Sequence, residues 1–324
     1  MSGYTLYPRF TDAFVSTVSR SVGLKGSRAE RGQVAVRGFY EASGRFDVIE
    51  THLLADELGH AIDGGYVWFP ESSDLIDSLH RSKFSISSEA FQLPHSSLTI
   101  AWPKGFSVRG VPVLPCLVSF RDYSLYRRNM LALVKEYPFM QDKLVPGSNG
   151  EPGKMLVISY PSRPGGVSYA RVELDLPMIG QILSAGPESV PEVLGSQVFS
   201  LPLDPEDRKM AYLLYRLVCA LCVYVQAVPE ALVPGFPREV APRAVSSDRY
   251  VPRVGFQVKS PTLNGRHASP ESHYRTWHFR MLTSPKFTKK RFQLCFVRET
   301  LVNARDATPE TIVSVEPEAV SVQV

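Results

Sequence analysis

Asp204 to Val228 reads Asp-Pro-Glu-Asp-Arg-Lys-Met-Ala-Tyr-Leu-Leu-Tyr-Arg-Leu-Val-Cys-Ala-Leu-Cys-Val-Tyr-Val-Gln-Ala-Val. The first four residues are typical of a helix start, because they combine a cap, a first-turn proline and acids at the positive end of the helix dipole. The rest is apolar around almost the whole circumference, as in a helix buried on all sides. Arg216 interrupts the run, which is marginal in length for a bilayer span. We therefore predict a central core helix against which a sheet packs, and no membrane contact.

Short apolar or alternating runs separated by Pro, Gly, Asn and Ser precede this helix, and such runs predict strands. The runs are Leu98–Trp102, Val113–Phe120, Asn129–Lys135, Lys154–Tyr160 and Val167–Leu174. No helix of crossover length is predicted between successive runs, so we expect a mainly antiparallel sheet. Beyond the core helix, an edge strand is predicted at Val254–Val258 and further strands at Phe292–Phe296 and Thr311–Val315.

Apolar residues at helical spacing dominate the first third of the chain. Helices are predicted from Phe10 to Val22, from a Ser27 cap to about Ala42, and from Arg45 to Ile62, where Gly64-Gly65 follows. Short helices are also predicted from Leu75 to Arg81, capped by Ser73-Asp74, and near Pro187–Leu194.

These patterns predict an α+β fold in three parts. Residues 1–95 form a helical N-terminal part, residues 96–234 form a mixed α/β core with the buried helix, and residues 235–324 form a basic extended region with terminal strands. A hydrophobic content of 44% with 21% charged residues is ordinary for a folded protein. Four scattered cysteines do not form a disulfide framework, and the N-terminus shows no signal-peptide pattern, so we expect a cytoplasmic protein.

Positive charge is concentrated late in the chain. Residues 235–298 hold 13 Lys or Arg against 3 Asp or Glu, a net of +10, whereas the rest holds 23 against 29, a net of −6. Three of the seven histidines fall between Gly265 and Arg291, among arginines and aromatic residues. Arginine forks bind phosphate or carboxylate, and aromatic rings stack on bases, so this segment predicts contact with RNA or an acidic partner. The candidate contact residues are Arg266, His267, His273, Arg275, Trp277, His278, Arg280, Lys289, Lys290 and Arg291.

Two other interpretations of this segment stay open. His273 or His278 could act as acid or base in RNA cleavage, since the histidine pKa lies near working pH, although their spacing matches no catalytic pair. A plain binding module that occupies a mature protein needs no RNA at all. No nucleophile elbow, P-loop or dinucleotide fingerprint occurs, so no cofactor is expected.

Two weaker motifs concern metals. His52, Asp56 and His60 would form one stripe on a helix, one residue away from a His-Glu-x-x-His zinc signature, but the same stripe fits an ordinary polar border. We expect no metal there. Cys219-x-x-Cys222 lies inside the apolar helix, which favours core packing over thiolate chemistry.

The C-terminal segment combines the cluster His273-Tyr-Arg275-Thr-Trp-His278-Phe-Arg280, an earlier histidine at His267, the basic run Lys286–Arg291 and the ending Leu301-Val302-Asn303. In these motifs it resembles the phage-borne type V-A anti-CRISPR proteins, which suppress production of the type V effector nuclease. Trp277 stands where that family usually has glycine, and Arg298 where it tends to have proline. A weaker match covers Pro229-Glu230 and Gly235-Phe236-Pro237 after the apolar helix.

The resemblance implies a recognition factor and not an enzyme that attacks the nuclease. Such a factor engages the nuclease through its nascent chain and causes loss of the translating message. It would need contact with RNA, the ribosome or RNA-decay machinery, in the cytoplasm of a bacterial host. The basic segment would supply that contact.

Overall fold

We describe the molecule from a computed structural model. The described residues are 3–43, 49–82, 84, 91–143, 153–162, 168–184, 187, 205–240, 255–260, 273–275, 278–281, 286, 288, 294–297 and 300–302. Among them, helices flank a mostly antiparallel sheet, so the predicted α+β class is confirmed.

The described helices match most of the predicted helical segments. They are α1 Phe10–Ser21, α2 Arg28–Ser43, α3 Ile49–Ile62, α4 Ser73–Arg81, α5 Tyr123–Glu136, α6 Leu176–Ser184 and α7 Pro205–Ala227. Ser72, one residue before the predicted cap, accepts a hydrogen bond from the Leu75 amide at the start of α4. Gly64 and Gly65 both have positive φ and follow α3, which explains why that helix ends there.

The described strands are β1 Tyr4–Thr5, β2 Val67–Pro70, β3 Ser97–Ile100, β4 Trp102–Pro103, β5 Ser107–Val108, β6 Val111–Pro112, β7 Cys116–Arg121, β8 Met155–Pro161, β9 Tyr169–Asp175, β10 Leu232–Pro234, β11 Gly255–Val258, β12 His273–Arg275, β13 His278–Met281, β14 Leu294–Val297 and β15 Thr300–Val302. Seven of them form the central sheet in the order β10-β11-β2-β3-β7-β8-β9. Neighbours are antiparallel except in the pairs β11–β2 and β2–β3.

One strand prediction is wrong, and a second strand is confirmed but does not lie at the predicted edge. Asn129–Lys135 lies in α5, where the Asp122 carboxylate caps the helix by accepting from the Leu125 amide at 2.8 Å, and where Asn129, Met130 and Leu133 are buried at helical spacing. Strand β11, predicted at an edge, lies inside the sheet because β10 covers one side of it and β2 the other. Of the segments Pro187–Leu194 and Thr311–Val315, only Pro187 is among the described residues.

Helix α7 is the predicted core helix. It packs with α4 and α6 on one face of the sheet, against strand residues such as Leu98, Val118 and Ile158. Residues 208–227 are long and apolar enough to cross a membrane, but 78% of the tested window is buried inside the molecule. Cys219 and Cys222 are fully buried in it, which confirms that they are core residues.

A second helical layer covers the opposite face of the sheet. Helices α1, α2, α3 and α5 bury a cluster that includes Val36, Leu53, Leu54 and Leu133, and α3 and α5 contact the sheet. Strand β2, from the first third of the chain, lies in the middle of the central sheet. The division into three parts at residues 96 and 235 stays a prediction.

Candidate functional site

The basic C-terminal segment contributes two short antiparallel ladders. β12 pairs with β15 and β13 pairs with β14, the outermost pairs being His273 with Val302 and Met281 with Leu294. Both ladders keep the same register, because three further steps from the Arg275–Thr300 pair lead to the His278–Val297 pair. The described pairs therefore have the register of one two-stranded ribbon, and we call these four strands the C-terminal ribbon.

Four of the ten predicted contact residues lie in the C-terminal ribbon. His273 and Arg275 are in β12, and His278 and Arg280 are in β13. Each of these two strands therefore carries a histidine and an arginine two positions apart. The other six fall outside the described residues: Arg266, His267, Trp277, Lys289, Lys290 and Arg291.

The C-terminal ribbon contacts the core through β14, which lies beside α7. Lys286, in the connection between β13 and β14, is exposed.

The two histidines of the ribbon lie in separate strands and are five positions apart. This spacing in the sequence matches no catalytic acid–base pair.

The stripe formed by His52, Asp56 and His60 contacts three different partners. His52 Nδ1 is 2.9 Å from Arg121 Nη2, Asp56 Oδ2 is 2.9 Å from Arg171 Nε, and His60 Nε2 is 3.0 Å from the Tyr66 carbonyl oxygen. Within the described part of the chain, no three His, Cys, Asp or Glu side chains come together as metal ligands do. Asp56 is only 2% exposed, so the interpretation of the stripe as a polar border is wrong at this position.

Asp56 belongs to a buried charge network between α3 and the sheet. Arg171 binds Asp56 and Glu173, and Arg121 donates to Glu173 at 3.0 Å. Arg121 also lies over the Tyr126 ring, 4.3 Å from its centroid. Two arginines and two carboxylates thus balance one another where the helical layer meets strands β7 and β9.

Burial and charge set the protonation states in this network. Burial, reinforced by Arg171 and Arg121, lowers the pKa of His52 to about 3, so His52 is neutral and its Nδ1 accepts from Arg121. Burial alone would raise the pKa of Glu173, but Arg171 and Arg121 hold it below its ordinary value. Neutral His52 and ionised Glu173 are the states expected of a structural network near neutral pH.

A third buried arginine, Arg216, lies in the middle of α7. Its guanidinium donates to the carbonyl oxygens of Ile182 and Leu183 in α6 and of His80 in α4. These carbonyls lie in the last turns of their helices, where the negative dipole ends stabilise a cation. Burial lowers the pKa of Arg216 to about 10. Among the described residues no carboxylate pairs with Arg216, so helix ends supply its compensation.

Comparison of the chain with protein-family models, with curated proteins and with solved structures finds no match. The resemblance based on residues 229–303 stays a prediction. The buried network was missed in the sequence, although alternate polar residues in apolar strands, Ser119 and Arg121 in one and Arg171 and Glu173 in another, indicate a polar layer.

Proposed function

We propose that this chain is a counter-defence protein of the kind carried by phages and other mobile elements. It recognises a host defence nuclease during synthesis, through the nascent chain, and lowers the level of its message or protein. The C-terminal ribbon contacts RNA, the ribosome or RNA-decay machinery in the bacterial cytoplasm. The observation that carries the proposal is the common register of the ribbon, which gathers two His-x-Arg pairs into one element.

The shape of the ribbon suits a polyanion. A two-stranded ribbon is narrow enough to enter a nucleic-acid groove or follow a backbone, and β12 and β13 each carry a histidine and an arginine two positions apart. Arginine forks bind phosphates in a bidentate manner, and histidine adds charge as the pH falls. Residues 235–298 carry a net charge of +10. RNA binding should therefore weaken steeply as salt is added, because a higher salt concentration reduces the free energy gained by releasing counterions from the RNA.

Recognition fits the ribbon better than catalysis does. General acid–base cleavage of RNA needs two groups within reach of one phosphate, whereas the spacing of His273 and His278 in the sequence matches no catalytic pair. Cleavage by one of these histidines stays an alternative. It predicts that the purified protein cuts naked RNA without ribosomes, with a bell-shaped pH profile.

A direct protein inhibitor is the other alternative, because an arginine fork binds carboxylate as readily as phosphate. The experiment that separates these functions is cross-linking and affinity capture of the full chain from host cells, with and without RNase treatment. Recovery of ribosomes or decay factors with one enriched message supports the proposal and identifies the target. Capture of a single mature protein, unchanged by RNase, contradicts it and indicates direct inhibition.

The capture experiment has a matched pair of variants. One replaces Arg275, His278 and Arg280 of the ribbon with alanine, and the other replaces the exposed residues Lys25, Lys104 and Arg127 with alanine. Both remove cations, but only the first changes the ribbon. The proposal expects loss of the enriched message from the ribbon variant alone. Equal enrichment in both variants would contradict the assignment to the ribbon.

A further inference from the structure

A cavity of about 220 Å³ opens between α1 and α2, far in sequence from the C-terminal ribbon. Helix α1 contributes Asp12 and Ser16, helix α2 contributes Arg28 and Arg31, and the buried Tyr137 closes one side. Pockets for drug-sized ligands measure about 300–1,000 Å³, so this cavity has room for a small molecule or ion only.

The charges around the cavity favour an anion. Arg28 pairs with Asp12, and both side chains are partly exposed, at 44% and 39%. Arg31 is the second cation of the lining, and within the described part of the chain its buried Nε has no hydrogen-bond partner. A buried donor without a partner is destabilising, so a group that accepts a hydrogen bond from Nε is favoured there.

We propose that this cavity binds a small oxyanion, a phosphate or carboxylate group, with Arg31 as its main ligand and Arg28 as the second. The guanidinium fork of arginine matches the two oxygens of either group. Ser16 contributes a hydroxyl at the same opening. With two guanidinium groups and one carboxylate in the lining, the formal charge is +1, which matches a singly charged anion.

Asp12 competes with the ligand for Arg28. An arriving anion must share or replace the Arg28–Asp12 contact, so the carboxylate of Asp12 weakens binding through both repulsion and competition. Thr11, beside Asp12 in the lining, donates to Glu57 of α3 at 2.5 Å. A bound anion therefore connects α1 to α2 next to the contact that already connects α1 to α3, and it should stabilise the N-terminal helices.

The test is titration of the full-length protein with inorganic phosphate and, separately, with acetate, at constant ionic strength, followed by calorimetry or NMR. We expect saturable binding of at least one anion, and the two titrations show whether phosphate or carboxylate is preferred. Arg31→Gln should weaken binding by about tenfold or more, and Asp12→Asn should strengthen it several-fold. Local charge alone would give the same two signs, so a control variant decides whether the effect belongs to the cavity.

Arg37→Gln is the matched control, because Arg37 also lies in α2 but does not line the cavity. It should leave binding unchanged. Arg31→Lys keeps the charge but removes the Nε donor, so it provides a second variant if Arg31→Gln folds poorly, and it should also weaken binding. Absence of saturable binding of both anions, or equal effects of the Arg31 and Arg37 substitutions, would overturn the proposal.

Discussion

Arg171 Nε donates to Asp56 Oδ2 across 2.9 Å, and the two side chains are only 5% and 2% exposed. The pair joins α3, in the helical layer, to β9, the last strand of the central sheet. Asp56 has no other hydrogen-bond partner among the described residues, whereas Arg171 also binds Glu173. Loss of Arg171 therefore leaves the Asp56 carboxylate without a described partner, whereas loss of Asp56 leaves Arg171 bound to Glu173.

Arg171→Met should destabilise the protein by about 3–5 kcal/mol, because it leaves the Asp56 carboxylate buried without compensation. The double variant Asp56→Leu with Arg171→Met should lose less than the single one, since it removes both charges. Urea unfolding measures both. Asp77→Ala is the control, because it breaks the exposed Asp77–Arg81 pair and should cost less than about 1 kcal/mol. A double variant less stable than the single one would contradict this account of the network.

Gly59→Ala should destabilise the protein although it replaces glycine with a better helix former. A Cβ at Gly59 would lie 2.3 Å from Asn129 Nδ2 and 2.5 Å from its Cγ, where α3 and α5 pack closely. Gly38→Ala in α2 is the matched control, since its Cβ would meet nothing within 4 Å. Thermal unfolding should show a lower midpoint for Gly59→Ala and a gain of up to about 1 kcal/mol for Gly38→Ala. Similar gains in both variants would rule out the close helix contact.

Stability should fall as the pH drops from about 6.5 towards 4, in part because of His80. Burial, then Arg216 and Arg109, lower the pKa of His80 from 6.5 to about 4, while Asp77 opposes them. Between these values the unfolded chain binds the proton and the folded one does not, so the contribution of His80 is complete above pH 6.5 and is lost on acidification. Its slope approaches about 1.4 kcal/mol per pH unit.

His80→Gln isolates this contribution, because glutamine does not titrate. The difference in unfolding free energy between the wild type and the variant should be constant above pH 6.5 and should shift in favour of the variant below it. The depressed pKa values of His52 and His60 are common to both proteins and cancel in the difference. A difference that is independent of pH from 7 to 4 would mean that His80 titrates alike in the folded and unfolded states.

Elements with strong local signals could be predicted from the sequence. Helix α7 is apolar around almost its whole circumference, so its burial can be predicted without knowing which face meets the sheet. The caps and glycines around α1 to α4 act within a single helical turn and can be recognised locally. The segment Asn129–Lys135 predicts a strand because its five consecutive apolar residues fit a strand as well as a helix face. The Asp122 cap that indicates a helix lies seven residues before the segment begins.

Features that depend on distant pairing could not be predicted in the same way. The position of β11 is set by its pairing with β2, nearly 190 residues earlier. Alternation of apolar and polar residues along a strand does not identify the strand with which it pairs. The Asp56–Arg171 contact spans 115 positions. The spacing of His52 and Asp56 predicts a stripe on a helix. Such a stripe is compatible with a surface, a metal site or a buried network until the opposing strands are known.

The central claim is that the C-terminal ribbon binds RNA through its cationic positions. The most direct test measures RNA binding by the full-length protein as a function of salt, for the wild type, for the Arg275, His278 and Arg280 alanine variant, and for the Lys25, Lys104 and Arg127 control. We predict that the ribbon variant loses most of its affinity and has a shallower salt dependence, while the control stays close to the wild type. Equal affinity and equal salt dependence in all three proteins, or no RNA binding by the wild type at low salt, would contradict the account.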